Sequence, residues 1–447
     1  MEDKVVLSAA EAFADIPHGA SVAIAGFGNS HRFPSTLLKA SRDPGAKNLT
    51  VYCNGLGSQG TSTAQLLVEN EQISTLVASL SSRPGPPTLA EEQILAGTLD
   101  FEVVPHWILV ERMRAGGAGT RVAQGKDVRH FDGRTYILER GITTYFAILR
   151  GYRADRYGNV QFRGGSRNSK NSFAEAARTA IIEVKEILEV GQLRPEEIHL
   201  PEVIVTRVVK TTTAVNVSSL PQRSSRPAGS HQECNGKPPL SRAEISRRAA
   251  AILDTSSVIN LGAGPPNQVV NYLDGRDVVF HSENGMLNCG GFVDIDRVDP
   301  DFHDAGGNSI DVLPGVSFFD SVASFEIARG KDLDAVALGA YQVGSNGDHQ
   351  GRPGGAMDLA VGGKSVIVST DHVDSKGRPK LVQECSYPIA AAECTTQVIT
   401  DLALRRHNDQ GRFTLEEIAA GFPVEENLKL TTVDINTTEN TDVMQEA

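Results

Sequence analysis

The sequence predicts an α/β fold built as two related domains in tandem. Three observations carry that reading. Apolar runs of strand length alternate with helical patterns, a polar linker divides the chain near its middle, and the two halves open on the same succession of motifs. The length of 447 residues agrees, since at about 150 residues per domain it suggests two to three domains.

Each half begins with a Ser-x-x-Glu capping box, Leu7-Ser8-Ala9-Ala10-Glu11 and Leu240-Ser241-Arg242-Ala243-Glu244. The serine caps a free helix N–H and the glutamate reaches back. Next comes an apolar run closed by Gly-x-Gly: SVAIAGFG at 21–28 and SVINLGAG at 257–264. The second helix is expected to be three residues longer, because its capping box lies that much further from the run. Further strands are expected in VIVTRVV (203–209), AVALGA (335–340) and SVIVST (365–370), with a helix in LSRAEISRRAAAIL (240–253). Residues 211–239 are rich in Ser, Thr, Pro and Gly and form the expected linker. The domains are thus expected at 1–210 and 240–435, with a polar tail, 436–447, that frays.

Composition narrows the function. With 40% hydrophobic and 22% charged residues the chain is globular rather than disordered. A net charge of −12 argues against a nucleic-acid partner, which needs a basic footprint. An anionic small ligand needs only local positive charge. The five cysteines, Cys53, Cys234, Cys289, Cys385 and Cys394, include no CxxC pair, so neither a zinc knot nor a disulfide framework is supported. No run of about 18 apolar residues suggests a membrane span. The acidic start MEDKVVLSAAEAF resembles neither a signal nor a transit peptide, and the cytoplasm is the expected location.

Several segments could carry chemistry. Gly26-Phe27-Gly28 and Gly262-Ala263-Gly264 let the backbone approach an anionic ligand. Neither completes GxGxxG, the third position being His31 or Asn267, so a dinucleotide site is disfavoured and a structural role for each turn is preferred. In Val278-Val279-Phe280-His281-Ser282-Glu283-Asn284-Gly285 a strand ends in a carboxylate, where α/β domains place ligands. The alternative is a solvated acid on an Asn-Gly turn, and spacing alone favours it. The Arg- and Gly-rich stretch Ala154–Asn168 and the loop Gly351–Leu359 could meet an anion, or be a plain turn and surface loop. Histidines show no metal-ligand spacing, and no GxSxG elbow exists.

Together these pieces resemble the class I CoA-transferases, in particular the fused succinyl-CoA:3-oxoacid transferases, from about residue 4 to 430. The resemblance rests on Ser282-Glu283-Asn284-Gly285, Ala25-Gly26-Phe27-Gly28, Glu111-Arg112-Met113-Arg114-Ala115-Gly116-Gly117 and the Ala154–Asn168 stretch. Asn260-Leu261-Gly262-Ala263-Gly264, Asp311-Val312-Leu313-Pro314-Gly315 and Gly354-Gly355-Ala356-Met357-Asp358-Leu359 complete it. It reverses the reading of Glu283. The resemblance implies the fold shared with some sugar-phosphate isomerases. Glu283 would be the nucleophile, forming a glutamyl-CoA thioester in ping-pong transfer of CoA between an acyl-CoA and a small carboxylate, as in ketone-body metabolism. It places Gly26 and Gly28 on the loop facing the acid substrate, Asn54 near the reacting carboxyl, His106 at a substrate-binding position near the active site, and Asn284, Gly285, Gly354 and Gly355 beside the nucleophile. It also implies a homo-oligomer, a dimer, with no metal or cofactor and CoA thioester as substrate. An acyl-CoA hydrolase and a silent acyl-CoA binder are the alternatives. The chain departs from the family at five places: Ala25 and Arg32-Phe33-Pro34 at the first glycine loop, His106 for a glutamine, a missing aromatic-TPTG stretch after Gly117, a missing W-x-x-PG segment before Arg352, and Leu287-Asn288-Cys289-Gly290-Gly291 after the nucleophile.

Overall fold

The computed structural model describes residues 2–26, 33–42, 45–57, 62–81, 87–119, 127–214, 239–262, 264–273, 276–351, 354–408 and 411–444. The chain forms two compact units. Unit 1 holds residues 1–220 with 299–302 and 318–323, and unit 2 holds 221–298, 303–317 and 324–447. Most of the expected linker, and Cys234 with it, lies outside the described residues. The split at the linker is therefore incomplete, because two short pieces of the second half belong to unit 1. There Arg163 holds Asp299 through two hydrogen bonds (2.8 and 2.7 Å) and Asp301 through one (2.8 Å), and its guanidinium stacks on Phe302.

In unit 1, helix α1 (Ala9–Ala12) leads into β1 (Ser21–Ile24), α2 (Ser35–Arg42), β2 (Leu49–Gly55), α3 (Gln65–Glu69), β3 (Ile73–Leu80), α4 (Leu89–Leu95), β4 (Asp100–Val103) and α5 (His106–Gly117). An exposed hairpin, β5 (Val128–Phe131) and β6 (Arg134–Ile137), follows, then β7 (Thr144–Asp155), β8 (Val160–Gln161), α6 (Lys170–Glu175), β9 (Ala177–Leu188) and β10 (Arg207–Lys210). The main sheet has the order β10-β9-β7-β1-β2-β3-β4 and is parallel along that path, with β8 turned back antiparallel on β7. A parallel sheet is buried on both faces, and the sequence supplies the apolar runs: Val22, Ile24, Val51, Cys53, Leu76 and Ile148 are all at most 2% exposed. Of the expected strand at 203–209 only the end from Arg207 is extended.

Unit 2 repeats the plan. Helix α7 (Arg242–Ala251) precedes β11 (Ser257–Leu261), β12 (Val278–Ser282), β13 (Met286–Phe292), β14 (Ile310–Phe318), α8 (Ser321–Arg329), β15 (Ala335–Leu338), β16 (Gln342–Gly344), β17 (His349–Gln350), α9 (Gly355–Gly362) and β18 (Ser365–Ser369). The chain continues through β19 (Leu381–Val382), β20 (Gln397–Ile399), β21 (Ala403–His407), β22 (Phe413–Ile418), α10 (Val424–Lys429) and β23 (Asn436–Val443). The large sheet runs β14-β13-β12-β11-β15-β18-β20-β21-β22-β23. Its inner part, β12-β11-β15-β18-β20, is parallel.

Both expected capping serines act as caps. Ser241 and Glu244 form the full box, whereas Glu11 receives the N–H of Leu7 instead of that of Ser8. Helix α7 has ten residues against four in α1, so the length difference is six rather than three. Residues 436–443 of the tail expected to fray are instead a strand: β23 pairs parallel with β22, because the edge of β22 offers N–H and C=O groups for pairing, and residues 445–447 lie outside the described residues.

The Glu111–Gly117 motif has a packing explanation. A Cβ on Gly116 would lie 1.8 Å from the carbonyl oxygen of Ile142, and one on Gly117 2.8 Å from the backbone of Glu175. The two glycines let α5 press onto the chain before β7 and onto α6. Gly116→Ala is expected to lower stability by about 1–3 kcal/mol, as overpacking against fixed backbone does. Thermal unfolding of the purified variant checks this, and an unchanged Tm would show that the contact is slack.

Candidate active site

In an open α/β sheet, ligands bind outside the carboxyl ends of the strands, where the strand order reverses. In unit 2 that place is the end of β11, flanked by β12 on one side and β15 on the other. Glu283 is the first residue after β12. The chain turns back through Asn284 and Gly285 into the antiparallel β13, with Gly285 at φ 101° and its N–H donating to the Ser282 carbonyl at 2.9 Å. The Asn-Gly turn signal is therefore real.

The solvated reading of the acid does not hold. Glu283 is half-buried, and its Oε2 is shielded from solvent and has no hydrogen-bond partner among the described residues. The residues on either side are pinned instead. Ser282 Oγ donates to Asn284 Oδ1 at 2.6 Å and accepts from the Ala305 N–H at 3.0 Å, while Asn284 Nδ2 donates to the His303 carbonyl at 2.9 Å. Asn284 is fully buried by these contacts.

The carboxylate lies on the start of α9. A Cβ on Gly355 would fall 1.8 Å from Glu283 Oε2. Gly354 caps the helix at φ 133°, in the region that favours glycine. The two glycines thus supply close approach and a turn. The first N–H groups of a helix have no partner within it, and its N-terminal end favours negative charge.

Three effects raise the affinity of Glu283 for a proton. Burial is the largest, followed by the negative charges of Asp358 and Asp304, and together they push its pKa from the usual 4.5 up to about 7. Asp358 stands on α9 one turn beyond Gly355 and is paired with Arg329 at 2.8 Å. Asp304 accepts from the backbone N–H of Asn308 at 2.7 Å. The sequence reading assigned neither carboxylate a role. The signal for Asp358 was available, since a residue three positions along a helix shares the face of the first. The result is a carboxylate poised near neutrality with one oxygen unbonded, the state a carboxylate nucleophile needs.

The structure places Glu283, Asn284, Gly285, Gly354 and Gly355 together in unit 2. Of the residues expected on the acid side, Gly26, Asn54 and His106 belong to unit 1 and follow or end strands at the carboxyl edge of its sheet. Gly26 follows β1, and a Cβ there would fall 2.4 Å from the ring of Phe33. Asn54 is the penultimate residue of β2 and is half-buried. His106 opens α5 just after β4. It is 1% exposed, and burial lowers its pKa to about 3, so the imidazole is neutral. Gly28 lies outside the described residues. Asp155 folds the Ala154–Asn168 stretch back on itself by accepting the N–H groups of Tyr157 (3.0 Å) and Asn159 (2.9 Å), as the turn reading expected. In unit 1 the second inner strand ends in Cys53-Asn54-Gly55, an echo of Glu283-Asn284-Gly285. Burial pushes the Cys53 thiol up to about 12, which leaves it unreactive. Among the described residues no group of three His, Cys, Asp or Glu side chains is placed to hold a metal ion, and no helix is long and apolar enough to cross a membrane.

Burial of Glu283 has a thermodynamic signature. The folded protein keeps this proton up to about pH 7, whereas the unfolded chain releases it near 4.5. Stability is therefore lost as pH rises through that window, and the loss is complete above it. Glu283→Gln is expected to raise Tm at about pH 8 and to leave it unchanged at about pH 4. An equal effect at both values would show that the buried charge is not its origin.

Comparison with known proteins gives the family. The sequence matches the family described as Coenzyme A transferase over residues 6–211 and 242–426. It is 34% identical to the mitochondrial succinyl-CoA:3-ketoacid coenzyme A transferase 2A of Rattus norvegicus, over 93% of this chain and 86% of that one. It is 39% identical to one of the chains of the 3-oxoadipate CoA-transferase of Pseudomonas putida, over 44% of this chain and 96% of that one. Among solved structures, an acyl-CoA transferase apoenzyme from Escherichia coli O157:H7 superposes with a TM-score of 0.79 at 17% identity, covering 99% of this chain and 96% of that one, which shows a shared fold. The chain belongs to the coenzyme A transferase family and is, by that membership, an enzyme of CoA transfer.

Proposed function

We propose that the chain moves CoA from an acyl-CoA such as succinyl-CoA to a small carboxylate of the 3-oxoacid type, through a thioester on Glu283. The observation that carries this reading is the unbonded Glu283 Oε2 resting on Gly355. The names of the relatives, succinyl-CoA:3-ketoacid and 3-oxoadipate transferases, support the choice of acids.

The chemistry runs in balanced steps. A Glu283 oxygen attacks the thioester carbonyl, the C–S bond breaks, and the CoA thiolate leaves behind an acyl-glutamyl anhydride. The thiolate then attacks Cδ of Glu283 and expels the first acid as its carboxylate. A second carboxylate reverses these two steps and departs as its CoA ester. The thioester energy is conserved throughout, so no step calls for a nucleotide, a metal or a resident cofactor. The backbone N–H groups at Gly354 and Gly355 are the donors offered to each oxyanion. Desolvation keeps the glutamyl thioester from water. Gly26, Gly28, Asn54 and His106 are the acid-side residues of the same reading, which also takes the protein to be a cytoplasmic homodimer.

Intact-protein mass spectrometry after mixing with succinyl-CoA tests the mechanism. A CoA-sized adduct mapped to Glu283 and discharged by acetoacetate is expected. Glu283→Ala should abolish both adduct and exchange, and exchange within about tenfold of the parent, worth only ~1.4 kcal/mol, would sink the assignment. Rapid release of free CoA without an adduct would mark a hydrolase. Because the nucleophile must be ionised, kcat/KM should rise with pH through about 7. Gly355→Ala keeps the helix but displaces the carboxylate, and exchange should fall by about 100-fold with little change in Tm. Retention of full activity would mean that Glu283 reacts from another position.

A further inference from the structure

Behind Glu283 runs a line of buried polar side chains that the transfer steps do not use. Asn260 on β11 and His281 on β12 are register partners, each 2% exposed. Asn260 Nδ2 sends one hydrogen to His281 Nδ1 at 2.9 Å and the other to the His281 carbonyl at 3.1 Å. Across the ring, His281 Nε2 lies 2.9 Å from Oγ of the fully buried Ser324 on α8. Ser324 Oγ in turn donates to the Ser282 carbonyl at 3.4 Å. With Nδ1 accepting from Asn260, the ring hydrogen sits on Nε2 and is given to Ser324. Every donor thus points the same way, and the line ends on the peptide that joins Ser282 to Glu283.

Such a line is costly, because each member loses its hydration. The fold does not require it. In unit 1 the corresponding inner strands, β1 and β2, meet through Val22, Ile24, Val51 and Cys53, all buried and none with a side-chain nitrogen or oxygen. The polar line occurs in the unit that carries the glutamate. A carboxylate held by its own hydrogen bonds is a poorer nucleophile, so its orientation has to come through the backbone. We propose that His281, with Asn260 and Ser324, is a positioning residue for CoA transfer: it locks the Ser282–Glu283 peptide from behind, so that the carboxylate is aimed at Gly355 while Oε2 stays free to attack. The inference rests on Glu283 being the nucleophile. Burial, which lowers the imidazole to about 4, keeps the ring neutral and the direction of the line fixed at neutral pH.

The test compares His281→Phe, His281→Gln and Ser324→Ala in the full chain with succinyl-CoA. It reads the single-turnover rate of the Glu283–CoA adduct together with kcat and KM. Phenylalanine fills the ring volume but neither donates nor accepts. Its adduct rate and kcat should fall by about 10- to 100-fold, with KM within about twofold. Glutamine supplies one acceptor and one donor and should recover the rate to within about threefold of the parent. Ser324→Ala removes only the last donor and should slow adduct formation by at least about fivefold. The proposal is overturned by a parent-like rate in His281→Phe or Ser324→Ala, or by a His281→Gln no faster than His281→Phe. Should His281→Phe fail to fold, the Ser324→Ala rate decides. If the parent itself forms no adduct, the nucleophile assignment has failed and the positioning role falls with it. If the parent forms it and the variants match it, the positioning role alone has failed.

Discussion

A carboxylate can rest on the first residue of a helix only where that residue has no Cβ. The contact between Glu283 and Gly355 is that constraint, and the site is arranged around it. The capping Gly354 adopts a left-handed conformation so that α9 can begin there. The hairpin after β12 is short and pinned at Ser282 and Asn284, so that the glutamate reaches the helix with its Oε2 unbonded among the described residues. Asp358 belongs to the same helix, and its charge adds to the burial that keeps Glu283 near neutrality. Removing the constraint would free the carboxylate to find water or a donor, and either would lower its reactivity.

Much of this was legible in the sequence. Parallel strands buried on both faces leave continuous apolar runs, and SVAI, SVINL, AVAL and SVIVS are the cores of β1, β11, β15 and β18. The capping serines and the Asn-Gly turn are local signals, written in a few adjacent residues, and they appear in the fold, although only the second capping box closes fully. The burial of Glu283 was not local. Spacing alone favoured a solvated acid, because the strand end does not record that α9, some 70 residues later, covers it. The same holds for Asp304 and for Asn260, His281 and Ser324, whose partners come from three separate elements. The tail departs from expectation for a related reason. Its polar composition suits an edge strand as well as a frayed end, and only the edge of β22 distinguishes the two.

The two units show how one plan accommodates different chemistry. Both carry Asn-Gly at or just after the end of their second inner strand, and both place glycine after the first. In unit 1 the residue before Asn-Gly is a cysteine buried to inertness, and in unit 2 it is the perturbed glutamate. Beyond that strand the units diverge. Unit 1 continues with the parallel β3 and β4, whereas unit 2 turns back through the antiparallel β13, with β14 beyond it at the sheet edge. The tight return brings the segment from His303 to Asn308 beside the glutamate and supplies the carbonyl and N–H that hold Asn284 and Ser282.

The assignment of residues 299–302 and 318–323 to unit 1 bears on the order in which the protein is made. A ribosome releases the first half long before these two pieces exist. Until they emerge, Arg163 has neither Asp299 nor Asp301 to neutralise it, and the amide of Gly165 lacks the Asp301 carbonyl that receives it at 3.0 Å. The first half by itself therefore lacks the two carboxylates and the carbonyl that complete these contacts. The units are consecutive in the gene, but the last stitches of the first are sewn only after most of the second sheet's opening strands have been translated.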